Sequence, residues 1–140
     1  MKSFFIPKDI QKLLHISYRQ LQYWDRTNFI KPSYRRKGKY RLYVFRDLVL
    51  LEFTKRLRNL GFSIQQLRQL VRSLRSLLPQ TTFPMVDLTI LVENDKLILA
   101  SGDVLMSGAA SKSYLVFKVS DLRDKIDDWW PDHAPEDAVH

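Results

Sequence analysis

Two short helical signals separated by a two-residue break constrain this chain more than any other feature of its sequence. Ile6, Ile10, Leu13 and Leu14 fall at an i, i+4, i+7, i+8 spacing, which predicts a helix from about Pro7 to Leu14 with one apolar face. Pro7 suits the first helical position, where its missing N–H costs nothing. His15 and Ile16 supply a turn. Ser17, followed three residues later by Gln20, reads as a capping box opening a second helix through Arg26. Leu21 and Trp24 then face inward, leaving Tyr18, Arg19, Gln22, Tyr23 and Arg26 on the outer side. Helices this short and this close make a helix-turn-helix, a unit that can lay its second helix in the DNA major groove.

The residues that follow suit a small β wing. After Lys31-Pro32 comes a basic tip, with five cations among the seven residues Arg35 to Arg41, and then YRLYVF, whose aromatic and β-branched content favours a strand. Gly38 allows a sharp turn between Lys37 and Lys39. Asp25 is the only acid between Tyr23 and Tyr43. A third helix is predicted from about Asp47 to Leu60 on Leu50, Phe53, Leu57 and Leu60, with Gly61 as its C-terminal cap. Ser63 and Gln66 repeat the capping box for a fourth helix. Along it Ile64, Leu67, Val71, Leu74 and Leu78 are spaced 3, 4, 3, 4, an a/d seam able to meet a partner helix and so a dimerisation candidate. Pro79 ends that helix after about two heptads.

Beyond LLPQTTFP, which reads as a linker, the pattern turns to strands. Val86, Leu88, Ile90 and Val92 alternate, Asn94-Asp95 signals a turn, Leu97 to Ala100 returns, and Tyr114 to Val119 reads as a further strand. Ser120 is the expected cap of a last helix with Leu122, Ile126 and Trp129 on one face before Pro131. The expected organisation is α+β: residues 1–79 as a winged helix-turn-helix of four helices and a small wing, 80–130 as a small hairpin and helix module for pairing or sensing, and 131–140 as a disordered tail.

Charge divides at the same place. The net charge of +8 comprises +14 from Met1 to Gln80 (18 Lys and Arg against 4 Asp and Glu) and −6 from Thr81 to His140 (5 against 11). A basic half suits a polyanionic partner. With no cysteine, disulfides, thiolate metal sites and cysteine nucleophiles are excluded. His15, His133 and His140 are too scattered to suggest a metal site, and Asp127-Asp128 and Trp129-Trp130 read as a helix end and core aromatics. No phosphate loop or activated-nucleophile pattern appears. The chain is therefore expected to be a non-enzyme without cofactor. Without an apolar run of membrane-spanning length, it is expected in the cytoplasm.

From Phe5 to Val71 the ordered pieces YWD, IKPS, YRLY and LRNLGFSIQQL resemble the N-terminal winged helix-turn-helix domain of the MerR family. The resemblance covers about half of the chain. It implies a bacterial transcriptional regulator that binds double-stranded operator DNA of pseudo-palindromic sequence as a homodimer, distorts promoter DNA in many members, and can act with RNA polymerase there. Carried over by position, Ser17, Tyr18, Arg19, Gln22 and Tyr23 lie on the recognition helix. Arg35, Arg36, Lys37, Lys39, Tyr40 and Arg41 lie on the wing, and Arg58 matches a third-helix residue that reaches phosphate. Leu67, Val71, Leu74 and Leu78 remain the dimerisation candidates from spacing. Gln22 and Trp24 stand where many members carry arginine and tyrosine, and Pro79 interrupts the helix that better-known members extend into a dimerising coil.

These residue types suit the task. Each phosphate neutralised steepens the loss of affinity with salt by about 0.9 log unit per log unit. Tyrosine hydroxyls orient against phosphate. Arginine pairs with guanine and glutamine with adenine, each good contact adding about 1–3 kcal/mol of discrimination. Two other classes share the composition: an architectural, excisionase-like protein that bends DNA, and an anti-regulator whose acidic half binds a protein partner.

Overall fold

The computed structural model describes residues 3–36, 40–81, 85–101 and 113–133. Its elements are α1 (Pro7–Leu14), α2 (Tyr18–Arg26), β1 (Tyr34–Arg36), β2 (Tyr40–Leu42), α3 (Phe45–Asn59), α4 (Ile64–Leu77), β3 (Leu88–Glu93), β4 (Lys96–Ser101), β5 (Ser113–Lys118) and α5 (Val119–His133). The class is α+β, as the sequence predicts. The wing tip Lys37, Gly38 and Lys39 and the tail 134–140 lie outside the described residues.

Local chemistry sets the helix ends. α1 stops at His15, whose left-handed φ of 57° lets its N–H reach the Gln11 carbonyl at 3.1 Å. Ser17 Oγ accepts the Gln20 N–H at 3.1 Å, capping α2. The Gln20 side chain does not return the bond and is engaged by Arg58, so the expected box is half formed. α3 begins at Phe45, two residues earlier than predicted, and the wing strand correspondingly ends at Leu42. The cause is Asp47, whose Oδ2 accepts the Val44 N–H at 2.9 Å from the third helical position.

At its other end α3 closes as the glycine predicts. Gly61 has φ 92°, its N–H donates to Arg58 O at 3.0 Å, and the Phe62 N–H donates to Leu57 O at 3.1 Å. That is a Schellman cap, which needs the left-handed residue glycine supplies. Ser63 and Gln66 form the full capping box of α4, at 2.8 and 3.2 Å. Leu78 is extended, the conformation a following proline imposes.

α3 is buried on nearly every side. Phe45, Leu48, Val49, Leu50, Leu51, Phe53 and Leu57 are all in the core, while Leu60 lies exposed beyond the helix end. α4 packs along it, and the dimerisation candidates Leu67, Val71, Leu74 and Leu78 are buried in the chain's own core. The a/d spacing was real, and its partner is intramolecular.

The second half forms an antiparallel sheet of order β4-β3-β5. β3 and β4 pair from Leu88↔Ser101 to Glu93↔Lys96 around Asn94 and Asp95, both left-handed (φ 50° and 63°), as a two-residue hairpin turn requires. Ile90, Val92, Val116 and Phe117 join the same apolar cluster as α1, α3 and α4. α5 packs on β3, β5 and α1. It starts at Val119, so Ser120 is not its cap, and it continues past Pro131 to His133. Pro131 lies in the last turn and, lacking an N–H, costs the helix one bond to the carbonyl four residues back.

Because Leu74 is fully buried, Leu74→Ala is expected to lower the unfolding free energy by about 2–5 kcal/mol in urea denaturation. Size-exclusion chromatography should show an unchanged oligomeric state, since this leucine packs within its own chain.

Candidate nucleic-acid interface

α2 offers a polar outer face because its two large apolar residues, Leu21 and Trp24, are buried beneath it. Ser17, Tyr18, Arg19, Gln22 and Tyr23 are all exposed. Ser17 is occupied as the cap, which leaves Arg19 and Gln22 as the side chains suited to base edges. The Tyr18 hydroxyl accepts a hydrogen bond from Arg41 Nη1 at 3.3 Å, so its own O–H is free to donate outward.

The wing stands beside this face. β1 and β2 are antiparallel, with Tyr34↔Leu42, Arg35↔Arg41 and Arg36↔Tyr40 as partners. Its root is held by a two-way backbone pairing of Phe5 with Tyr43, 2.8 Å in each direction, and by an edge-on contact between the Phe4 and Tyr34 rings. Tyr40 is 67% exposed. Lys37 and Lys39 fall outside the described residues, as does the side chain of Arg36.

Arg35 and Arg41 sit directly opposite each other, an arrangement that repels unless something lies between them. Asp25 does. Its carboxylate, 4% exposed, accepts from Arg41 Nε and from Arg35 Nη2, each at 2.5 Å, and Lys31 Nζ lies 3.8 Å away. Burial opposes ionisation of Asp25, but hydrogen bonds and charge from Arg41 and Arg35 outweigh it and hold the carboxyl below its ordinary range. Arg41, with 15% of its side chain exposed, thus positions the wing and Tyr18 more than it presents a free cation. Arg35, 38% exposed, keeps part of its guanidinium outward.

A second buried carboxylate fixes the wing's start. Asp47 accepts from Ser33 N–H at 3.0 Å and Ser33 Oγ at 2.8 Å as well as from Val44. Burial raises its pKa, and these bonds only partly offset the shift. Arg58 donates to Gln20 Oε1 at 3.0 Å and stacks over the Trp24 ring at 5.6 Å, so it braces α2 against α3 at the edge of the outer face.

Sequence reasoning did not assign a role to Asp25, Lys31, Ser33 or Asp47 in this site. The available signal was Asp25 standing as the one acid in a basic run. Two further arginines act as struts: Arg56 donates to Glu52 and to Val116 O, joining α3 to β5, and Arg75 donates to Phe29 O at 2.7 Å. Among the described residues no group of three or more His, Cys, Asp or Glu is arranged to hold a metal, and no helix is long and apolar enough to cross a membrane.

Residues 7–74 match the family described as MerR HTH family regulatory protein. Over 63 residues the chain is 44% identical to a Mycobacterium tuberculosis protein named as an uncharacterized HTH-type transcriptional regulator, covering 43% of this chain and 28% of that one. Over 56 residues it is 34% identical to heavy metal-dependent transcription regulator 1 of Rhizobium meliloti, covering 40% and 38%. A MerR-family transcriptional regulator from Bacillus cereus aligns structurally with TM-score 0.45 and 29% identity over 47% of this chain and 49% of that one. The chain thus spans less than half the length of these relatives.

Removing the shared carboxylate leaves two opposed arginines, so Asp25→Asn is expected to destabilise the fold by up to about 3 kcal/mol, the low end for a broken buried pair because Arg35 can rehydrate. A group with a depressed folded pKa contributes stability above its unfolded value and loses it as pH falls. The gap between wild type and Asp25→Asn should therefore narrow below pH 3.8 in acid titrations of stability. Asp47, with its raised pKa, has the opposite sign: its ionisation opposes folding as pH rises through the folded value, so Asp47→Asn should not reproduce the narrowing.

Proposed function

We propose that this chain, whose residues 7–74 form a MerR-family helix-turn-helix domain, is a sequence-specific double-stranded-DNA-binding transcriptional regulator. The observation that carries this reading is the joining of an exposed recognition face to a wing through one buried carboxylate. Arg19 and Gln22 on α2 would read base edges in the major groove. Tyr18, Tyr23, Tyr40, Arg35 and the basic tip Arg36, Lys37 and Lys39 would meet the flanking phosphates. Arg58 and Arg41 would act largely by holding these elements at a fixed spacing.

Acting on a pseudo-palindromic operator requires two copies related by a two-fold axis, because each recognition helix reads one half-site. The burial of the leucine seam of α4 within the chain argues against its supplying that pairing. The acidic second half is the natural candidate instead. Metal dependence, part of one relative's name, does not carry over through thiolates, since this sequence contains no cysteine.

Fluorescence anisotropy on DNA selected from random sequence tests the reading. Arg19→Ala should cost about 1–3 kcal/mol on the selected site and little on unrelated DNA, as expected for a base contact. A phosphate-facing change such as Arg35→Ala should weaken both DNAs alike and lower the salt slope by about one. Footprinting should reveal one bounded two-fold site. Continuous protection without a boundary would replace this reading with an architectural one, and absence of DNA binding would leave the protein-partner alternative.

A further inference from the structure

A pocket of about 240 Å³ lies where the start of α3, the end of α4 and the loop after α2 meet. Lys31, Arg46 and Arg75 line it against one carboxylate, Asp47. That carboxylate has its oxygens occupied by Ser33 and Val44 donors and forms no ion pair with either arginine among the described residues. The two arginines instead use backbone carbonyls: Arg46 Nη2 donates to Arg75 O, and Arg75 Nη2 to Phe29 O. Each of those bonds uses one of five guanidinium donors. Among the described residues, the buried Arg46 Nε has no hydrogen-bond partner.

Such a group is costly as it stands. A buried unpaired donor forfeits its hydration, and neighbouring guanidiniums repel. The repulsion registers on Arg75, where burial first and then the charge of Arg46, with Arg72 adding a smaller share, disfavour the protonated form, and Asp47 offsets this only in part. As struts between helices the arginines need one bond each; the surplus of donors and positive charge is unexplained by that role.

We propose that this pocket binds a phosphate-type oxyanion through Arg46, Arg75 and Lys31. Planar guanidiniums and an ammonium are the groups that recognise such an anion by charge-assisted hydrogen bonds. The start of α3 adds a favourable dipole. The site's position gives it a consequence: Asp47 and Ser33 join it to the root of β1, and Lys31 joins it to Asp25, so occupancy bears on the wing. The anion can be a free phosphate-bearing molecule or a phosphate of the DNA backbone, and the two sources are separable.

Inorganic phosphate is titrated into the DNA-free full chain by calorimetry at constant ionic strength, with circular dichroism checking that each variant is folded. One saturable site is expected, weakened by about tenfold or more, or about 1.4 kcal/mol, in Arg46→Gln and Arg75→Gln. Should Arg75→Gln not fold, Arg75→Lys keeps the charge but loses the fork, and should also weaken binding. Arg19→Ala should leave phosphate binding unchanged. Saturable binding that survives in folded Arg46→Gln and Arg75→Lys, or no saturable heat at millimolar phosphate, would overturn the site. With the site established, DNA binding weakened in Arg75→Lys in the absence of phosphate identifies a backbone phosphate as occupant. DNA binding that matches wild type until phosphate is added identifies a free anion.

Discussion

Asp25 holds the wing in register with α2. Two arginines on adjacent strands, directly across from each other, would drive the wing apart on their own, and the carboxylate between them converts that repulsion into a three-way clamp. It reaches from the end of α2 to both wing strands, and so ties the face that would read bases to the hairpin that would grip the backbone. Burying such a group gains little net stability, because desolvation offsets much of the attraction; what it supplies is a single allowed arrangement.

The clamp works because α3 gives it a rigid footing. Ten of its fifteen residues are buried, and the buried polar ones, Asp47, Glu52 and Thr54, all have partners within the fold. Asp47 caps it and seizes Ser33. Glu52, also buried, is balanced by Lys55 at 3.0 Å and Arg56 at 3.1 Å. Lys55 in turn donates to the Leu14 carbonyl at the end of α1, and Arg56 to Val116 in β5. One buried helix thereby ties together the helix-turn-helix, the wing and the second-half sheet.

The charge division along the chain acquires a structural meaning from this arrangement. Many cations of the first half are not a uniform positive surface: Arg35 and Arg41 are balanced by Asp25, Lys55 and Arg56 by Glu52, while Arg58 is stacked and hydrogen-bonded. Cations without carboxylate partners are the informative ones. Arg19 stands on the outer face of α2, and Arg46 and Arg75 gather in the pocket they share with Lys31 and Asp47.

Signals that act within a few residues were legible in the sequence. The two-residue break between α1 and α2, the Ser17 and Ser63 caps, the Gly61 terminus and the Asn94-Asp95 turn all depend on short-range backbone hydrogen bonding and allowed φ, which residue type dictates directly. The exposed face of α2 followed as well, since the positions of Leu21 and Trp24 fix which side is buried. Where several local solutions competed, the sequence misled: Asp47 started its helix early from within, and a leucine seam suited to any apolar partner met the chain's own α3. Pairings across 10 to 46 residues were decided only by the tertiary structure, as with Asp25 and Arg35, Ser33 and Asp47, or Arg75 and the Phe29 carbonyl. An arginine's spacing along a helix says which way it points but not which carboxylate or carbonyl the fold will bring to it, and that distance determines whether its charge is balanced, used as a strut or left to meet a ligand.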